Sequence, residues 1–170
     1  MTKMKSCITT IAISIAIFLA GCTAPTLIPP DEPTHDTSQN FSADYDSVWE
    51  ATVDWFSDRN IPIKQIEKDS GLIASDYSLR TGQDILDCGY LEGGSGMTLV
   101  SEDHTANLNV RVRAVNAEES TVSLNVFGES NYLYQNPMDR SVTETVTSDN
   151  CVSTGALEGE LFDFISASIR

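Results

Sequence analysis

The chain has 170 residues, enough for one domain of ordinary size and too few for two large ones. It carries 25 Asp and Glu against 10 Lys and Arg, a formal charge of −15. That balance argues against nucleic-acid phosphate and anionic lipid head groups as partners and makes a basic partner or a bound cation the electrostatic expectation.

The first element is short and apolar. Lys3 and Lys5 precede a run from Ile8 to Ala20 that contains Thr9, Thr10 and Ser14. A membrane-spanning helix needs about 20 predominantly apolar residues, so this run fits the h-region of a signal peptide instead. It closes on Leu19-Ala20-Gly21-Cys22. Those four residues resemble the lipobox of bacterial lipoproteins, in which small residues admit the backbone to the peptidase cleft. The resemblance implies that Cys22 becomes the first mature residue, linked to a diacylglycerol and acylated on its amine. Thr23, rather than aspartate, implies sorting to the outer membrane, facing the periplasm. Loss of residues 1–21, with Lys3 and Lys5, takes the formal charge from −15 to −17.

Cys7 leaves with the signal and Cys22 is committed to lipid. Cys88 and Cys151 remain, an even pair in an exported chain, for which a structural disulfide is the expectation. No Cys-x-x-Cys spacing occurs, and the histidines are His35 and His104, so neither a zinc site nor a redox motif is indicated.

Residues 22–40 form a lipidated tether in this reading: four prolines and many small polar groups offer no core, and 18 residues of extended chain reach at most about 55 Å. His35 lies in it and is expected to be solvated. A single domain occupies residues 41–170. Tyr45, Val48, Trp49, Thr52, Val53 and Phe56 recur at helical spacing, with Ser42 or Asp44 as cap; Trp55 sits off this stripe. Arg59-Asn60 ends the helix. Ile61 to Glu67 reads as a strand, and Lys68-Asp69-Ser70-Gly71 as a turn. Ile73, Ser75, Tyr77 and Leu79 share one face of the returning strand. Five glycines between residues 82 and 96 mark a loop around Cys88, and Met97 to Ser101 a short strand. Ala106, Leu108, Val110, Val112 and Ala114 then alternate with Asn107, Asn109, Arg111 and Arg113. One side of that strand is buried and the other wet. A turn at residues 116–119 leads to Val122, Leu124 and Val126. Residues 129–150 are polar, aperiodic and read as loop. Ser153 or Thr154 caps a last helix carrying Leu157, Leu161, Phe162, Phe164, Ile165 and Ile169.

The order helix, hairpin, hairpin, helix predicts an α+β domain: an antiparallel sheet of four to five strands with two helices on one face. Val48-Trp49-Glu50-Ala51 and Ile66-Glu67-Lys68-Asp69-Ser70-Gly71-Leu72-Ile73 resemble the helix and hairpin of the BamC-type outer-membrane lipoprotein domains over about 35 residues. The resemblance implies a helix-grip-like arrangement rather than a part in barrel assembly. The BamC-type proteins have two such domains and a partner-binding segment that the tether does not match.

Motifs for chemistry are incomplete. Gly93-Gly94-Ser95-Gly96-Met97 lacks the last glycine of a nucleophile elbow, and the only histidine in the domain is His104. Ser95 stands where a phosphate loop needs lysine. Asp84, Asp87 and Glu92 offer oxygen ligands without a regular calcium spacing. The expectation is therefore a non-enzymatic, lipid-anchored envelope module without cofactor or metal. Its partners would be the membrane, through Cys22, and an envelope protein or cell-wall component, met at residues 82–96. The alternative is a small hydrolase of envelope polymer using a pair of acidic residues.

Overall fold

The computed structural model describes residues 25–77, 84–93, 98–138, 140 and 143–169; the expected signal peptide and Cys22 lie outside them. In chain order the elements are strands β1 (Pro25–Ile28) and β2 (Ser38–Phe41), helix α1 (Tyr45–Asp58), strands β3 (Gln65–Glu67), β4 (Leu72–Tyr77), β5 (Leu86–Asp87), β6 (Tyr90–Gly93), β7 (Thr98–Asn116), β8 (Glu119–Gln135) and β9 (Thr143–Ser153), and helix α2 (Ala156–Ser168). The fold is α+β, with a seven-stranded antiparallel sheet ordered β3-β4-β7-β8-β9-β5. The seventh strand, β2, pairs with residues 120–123 of β8, on the edge that β9 takes further along, from Phe127 to Gln135. The expected count of four to five strands is thus too low.

The two missing segments have a common cause. Residues 129–150 supply the second half of β8 and most of β9, yet their inward positions are Ser130, Tyr132 and Ser148. Small polar side chains facing inward remove the apolar alternation that identifies a strand. The segment expected to be a tether also carries strands at both ends. β1 joins β6 in a separate two-stranded ribbon, and β2 ends on the buried Phe41, whose ring meets Phe162 at 6.2 Å.

Both helices pack on one face of the sheet. The core joins Val48, Trp55 and Phe56 of α1 and Leu161 and Ile165 of α2 to Ile73, Leu108, Val110 and Leu124 of the strands. Gly71, at φ +69°, closes the β3–β4 turn. A Cβ there would lie 1.9 Å from the Val112 carbonyl oxygen, so the turn requires glycine for space as well as for φ.

Asp44 is the N-cap of α1. Its Oδ1 accepts from the Ser47 amide at 3.0 Å and its Oδ2 from the Ser47 hydroxyl at 2.8 Å. These bonds hold its carboxyl below the ordinary value of 3.8. A lowered pKa means that the charge-assisted part of the cap is fully present above about pH 4 and is lost as pH falls through the folded-state pKa. Asp44→Ala should therefore lower the melting temperature more at pH 7 than at pH 2, where a protonated carboxyl keeps only a neutral acceptor, while Asp44→Asn, neutral at both, should keep that smaller part of the cap. An equal effect of Asp44→Ala at the two pH values would remove the carboxylate from the cap. The last helix differs from expectation. Its cap position is Gly155, at φ +88° and without a side-chain cap bond, rather than Ser153 or Thr154.

Candidate functional site

The helices cover the even-numbered face of β7 and β8; the odd-numbered face is left open. Alternation puts Asn107, Asn109, Arg111 and Arg113 of β7 on that face together with Thr121, Ser123, Asn125 and Phe127 of β8. The register sets them in rows: Asn107 opposite Phe127, Asn109 opposite Asn125, Arg111 opposite Ser123, Arg113 opposite Thr121. On the far side of β7, Leu72 and Ala74 of β4 stand beside Arg111 and Asn109. A groove of about 650 Å³ runs over this face, bordered by Thr37 and Gln65 and floored by Ala74, Asn109, Arg111 and Asn125.

Among the described residues, the side chains of Asn107, Asn109, Asn125, Arg111 and Arg113 have no hydrogen-bond or ion-pair partner within the protein. Two other cations are engaged: Arg59 pairs with Glu160, and Lys68 with Asp46. Arg111 and Arg113 stand on alternate residues of one strand, with Cα atoms about 7 Å apart. They make a local positive field in an acidic protein, and such a field is felt over roughly 8 Å at physiological salt. Phe127 continues this face, its side chain 42 % exposed.

At the far end of the covered face the buried groups are polar. Cys88 and Cys151 form a disulfide at the opposed pair that follows Asp87 and Val152. His104, 5 % exposed, stands between this bond and a carboxylate: its Nδ1 lies 3.4 Å from Cys88 Sγ and its Nε2 2.8 Å from Glu102 Oε1. The Tyr132 ring meets the imidazole edge-on. Its hydroxyl, raised in pKa chiefly by burial, donates to the Gly89 carbonyl, and Ser148 donates to the Cys88 carbonyl at 3.0 Å. This cluster fixes the chain that leads into β6. Both sulfurs and the imidazole are buried, so the arrangement offers a substrate no open nucleophile.

A second buried cluster holds the N-terminal segment. Glu158, 1 % exposed, accepts from the Ser153 hydroxyl at 2.8 Å and faces His35 Nε2 at 3.4 Å. A Cβ on Gly155 would come within 2.7 Å of the His35 ring. His35, expected to be solvated, is docked on the first turn of α2.

Cys88 and Cys151 are thus brought together. Of the loop expected to form a recognition edge, Leu86–Asp87 and Tyr90–Gly93 are strands, and β6 is paired along its length with β1. Ser95 and the rest of the elbow-like motif lie outside the described residues. Asp87 caps its own turn by accepting from the Gly89 amide. Among the described residues no three His, Cys, Asp or Glu side chains are grouped to hold a metal, and no helix is long and apolar enough to cross a membrane. Sequence reasoning recognised Asn107 to Arg113 as a wet strand face but missed it as a site. The available signal was two arginines on one face of a strand in a chain with so few cations. No protein-family model and no curated protein sequence matches the chain.

Proposed function

We propose that the protein is a lipid-anchored outer-membrane lipoprotein, facing the periplasm, that acts as a non-enzymatic binding module of the cell envelope. The open face of the sheet is its binding surface. The observation that carries this reading is the pair Arg111 and Arg113, unpaired over a polar groove in a protein otherwise dominated by acidic groups. Two helices over one face of an antiparallel sheet favour a helix-grip-like frame in which the opposite face is free for a partner.

In this reading Cys22 bears the lipid, and only residues 23 and 24 separate it from β1. That span reaches about 10 Å at most, so the domain rides close to the membrane surface rather than at the end of a long tether.

Two measurements test the proposal. Cys22→Ser should leave an unprocessed precursor; a variant that still matures and fractionates with the outer membrane would refute the anchor. A photo-crosslinker at Asn125 should capture an envelope component from native membranes, and Arg111→Glu with Arg113→Glu should abolish capture. Equal capture from Asp54, on the exposed side of α1, would refute the surface.

A further inference from the structure

The chemistry of the open face selects among ligand classes. We propose that it binds a linear polysaccharide carrying carboxylates; this rests on the reading of that face as the binding surface.

Three observations converge. First, Phe127 is the large apolar side chain of its row, 42 % exposed, with Asn107 opposite on β7 and Asn125 two residues along β8. An aromatic ring flanked by free amides matches a pyranose: the ring packs against the sugar's C–H face, while each amide offers a donor and an acceptor to neighbouring hydroxyls. Second, Arg111 and Arg113 continue the same face. Their forked guanidiniums bind carboxylates bidentately, and neither forms an ion pair among the described residues, although Glu67 stands two strands from Arg111 and Glu119 two residues along β8 from Thr121, the partner of Arg113. From the Phe127 row to Arg113 is six residues of β7, about 20 Å of extended strand, the footprint of an extended oligomer rather than of a small molecule.

Third, the face is poorly built for a peptide. Strand addition needs a free sheet edge, whereas β7 and β8 pair with each other throughout and are flanked by β4 up to Arg111, by β2 over residues 120–123 and by β9 from Phe127, with the Leu124 amide donating to the Thr37 carbonyl between the last two, which leaves little free edge for a strand. Helix-in-groove binding needs apolar pockets at helical spacing, and Leu72 and Ala74 are the apolar side chains at the groove wall. A sugar polymer with acid groups satisfies amides, ring and guanidiniums together.

The test uses the full-length lipidated protein in detergent micelles. The probes are a galacturonic acid oligomer of about six residues, long enough for the ~20 Å row, its methyl ester, and hexaglutamate. Calorimetry should show binding of the free acid. Esterification should weaken it by at least about 10-fold, and so should Arg111→Gln with Arg113→Gln, because each removes charge-assisted bonds. Phe127→Ala should weaken acid and ester alike. All three positions are on the open face, so an unchanged melting temperature confirms that the variants are folded. Hexaglutamate binding as tightly as the sugar, with no effect of Phe127→Ala, would overturn the polysaccharide while leaving the face as a binding surface. Failure of every probe, with the Asn125 crosslinker also capturing nothing, would overturn both. Sugar binding that ignores the arginine and Phe127 substitutions would overturn the site.

Discussion

Trp55→Ala is expected to cost about 3–5 kcal/mol of stability, the range for removing a fully buried aromatic side chain. Trp55 is 0 % exposed. Its ring meets Phe56 edge-on at 5.1 Å, and its indole Nε1 donates to Glu160 Oε1 at 3.1 Å, tying α1 to α2. The substitution leaves a cavity between the two helices and takes away the donor that orients Glu160, which Arg59 also contacts. Trp55→Phe restores most of the volume but not the donor, so its cost should be clearly smaller. Urea unfolding should show a lower midpoint at unchanged slope for both variants. A loss below about 1 kcal/mol for Trp55→Ala would mean that the helices do not depend on this contact.

Loss of the Cys88–Cys151 bond should have an effect of similar size. The bond closes a loop of 63 residues, for which chain entropy gives roughly 4 kcal/mol. For a chain of this length that corresponds to about 8–16 °C in melting temperature. Cys88→Ser and Cys151→Ser should be equally destabilising and the double variant no worse than either, because all three remove the same link. Reductant should lower the melting temperature of the wild type and of none of the variants. Cys88 directly follows β5 and Cys151 lies in β9, so opening the bond frees β5 first, and with it β6 and the β1 strand that β6 holds. Hydrogen exchange should rise there before it rises in β7. Mass spectrometry finding two free thiols in protein taken from the periplasm would remove the bond and this order of opening.

The parts of the fold that were legible share one physical feature: a strong local period. α1 announced itself through a 3.6-residue stripe and the Asp44 cap, and the centre of β7 through five apolar residues in strict alternation. Trp55 lies off that stripe yet is buried, because a helix packed against both a sheet and a second helix buries more than a single stripe. β9 and the end of β8 were missed because their inward side chains are Ser130, Tyr132, Ser148 and the Cys151 sulfur. They face the His104 cluster rather than an apolar core.

The candidate site divides in the same way. By itself the sequence determined that Cys88 and Cys151 are an even pair within the domain, that Asn107 to Arg113 alternate with an apolar set, and that the chain is strongly acidic. Each of these follows from residue type and spacing along one segment. Only the tertiary structure decided that β8 sets Asn125 and Phe127 beside those residues, that both helices choose the opposite face, and that His35 and Pro25–Ile28 fold back onto the domain. Those choices depend on register and on contacts between segments far apart in the chain. A one-residue slip in register would exchange the faces of a strand. Net charge sums over the whole molecule, whereas a ligand meets only the few groups that the fold places within a screening length of one another.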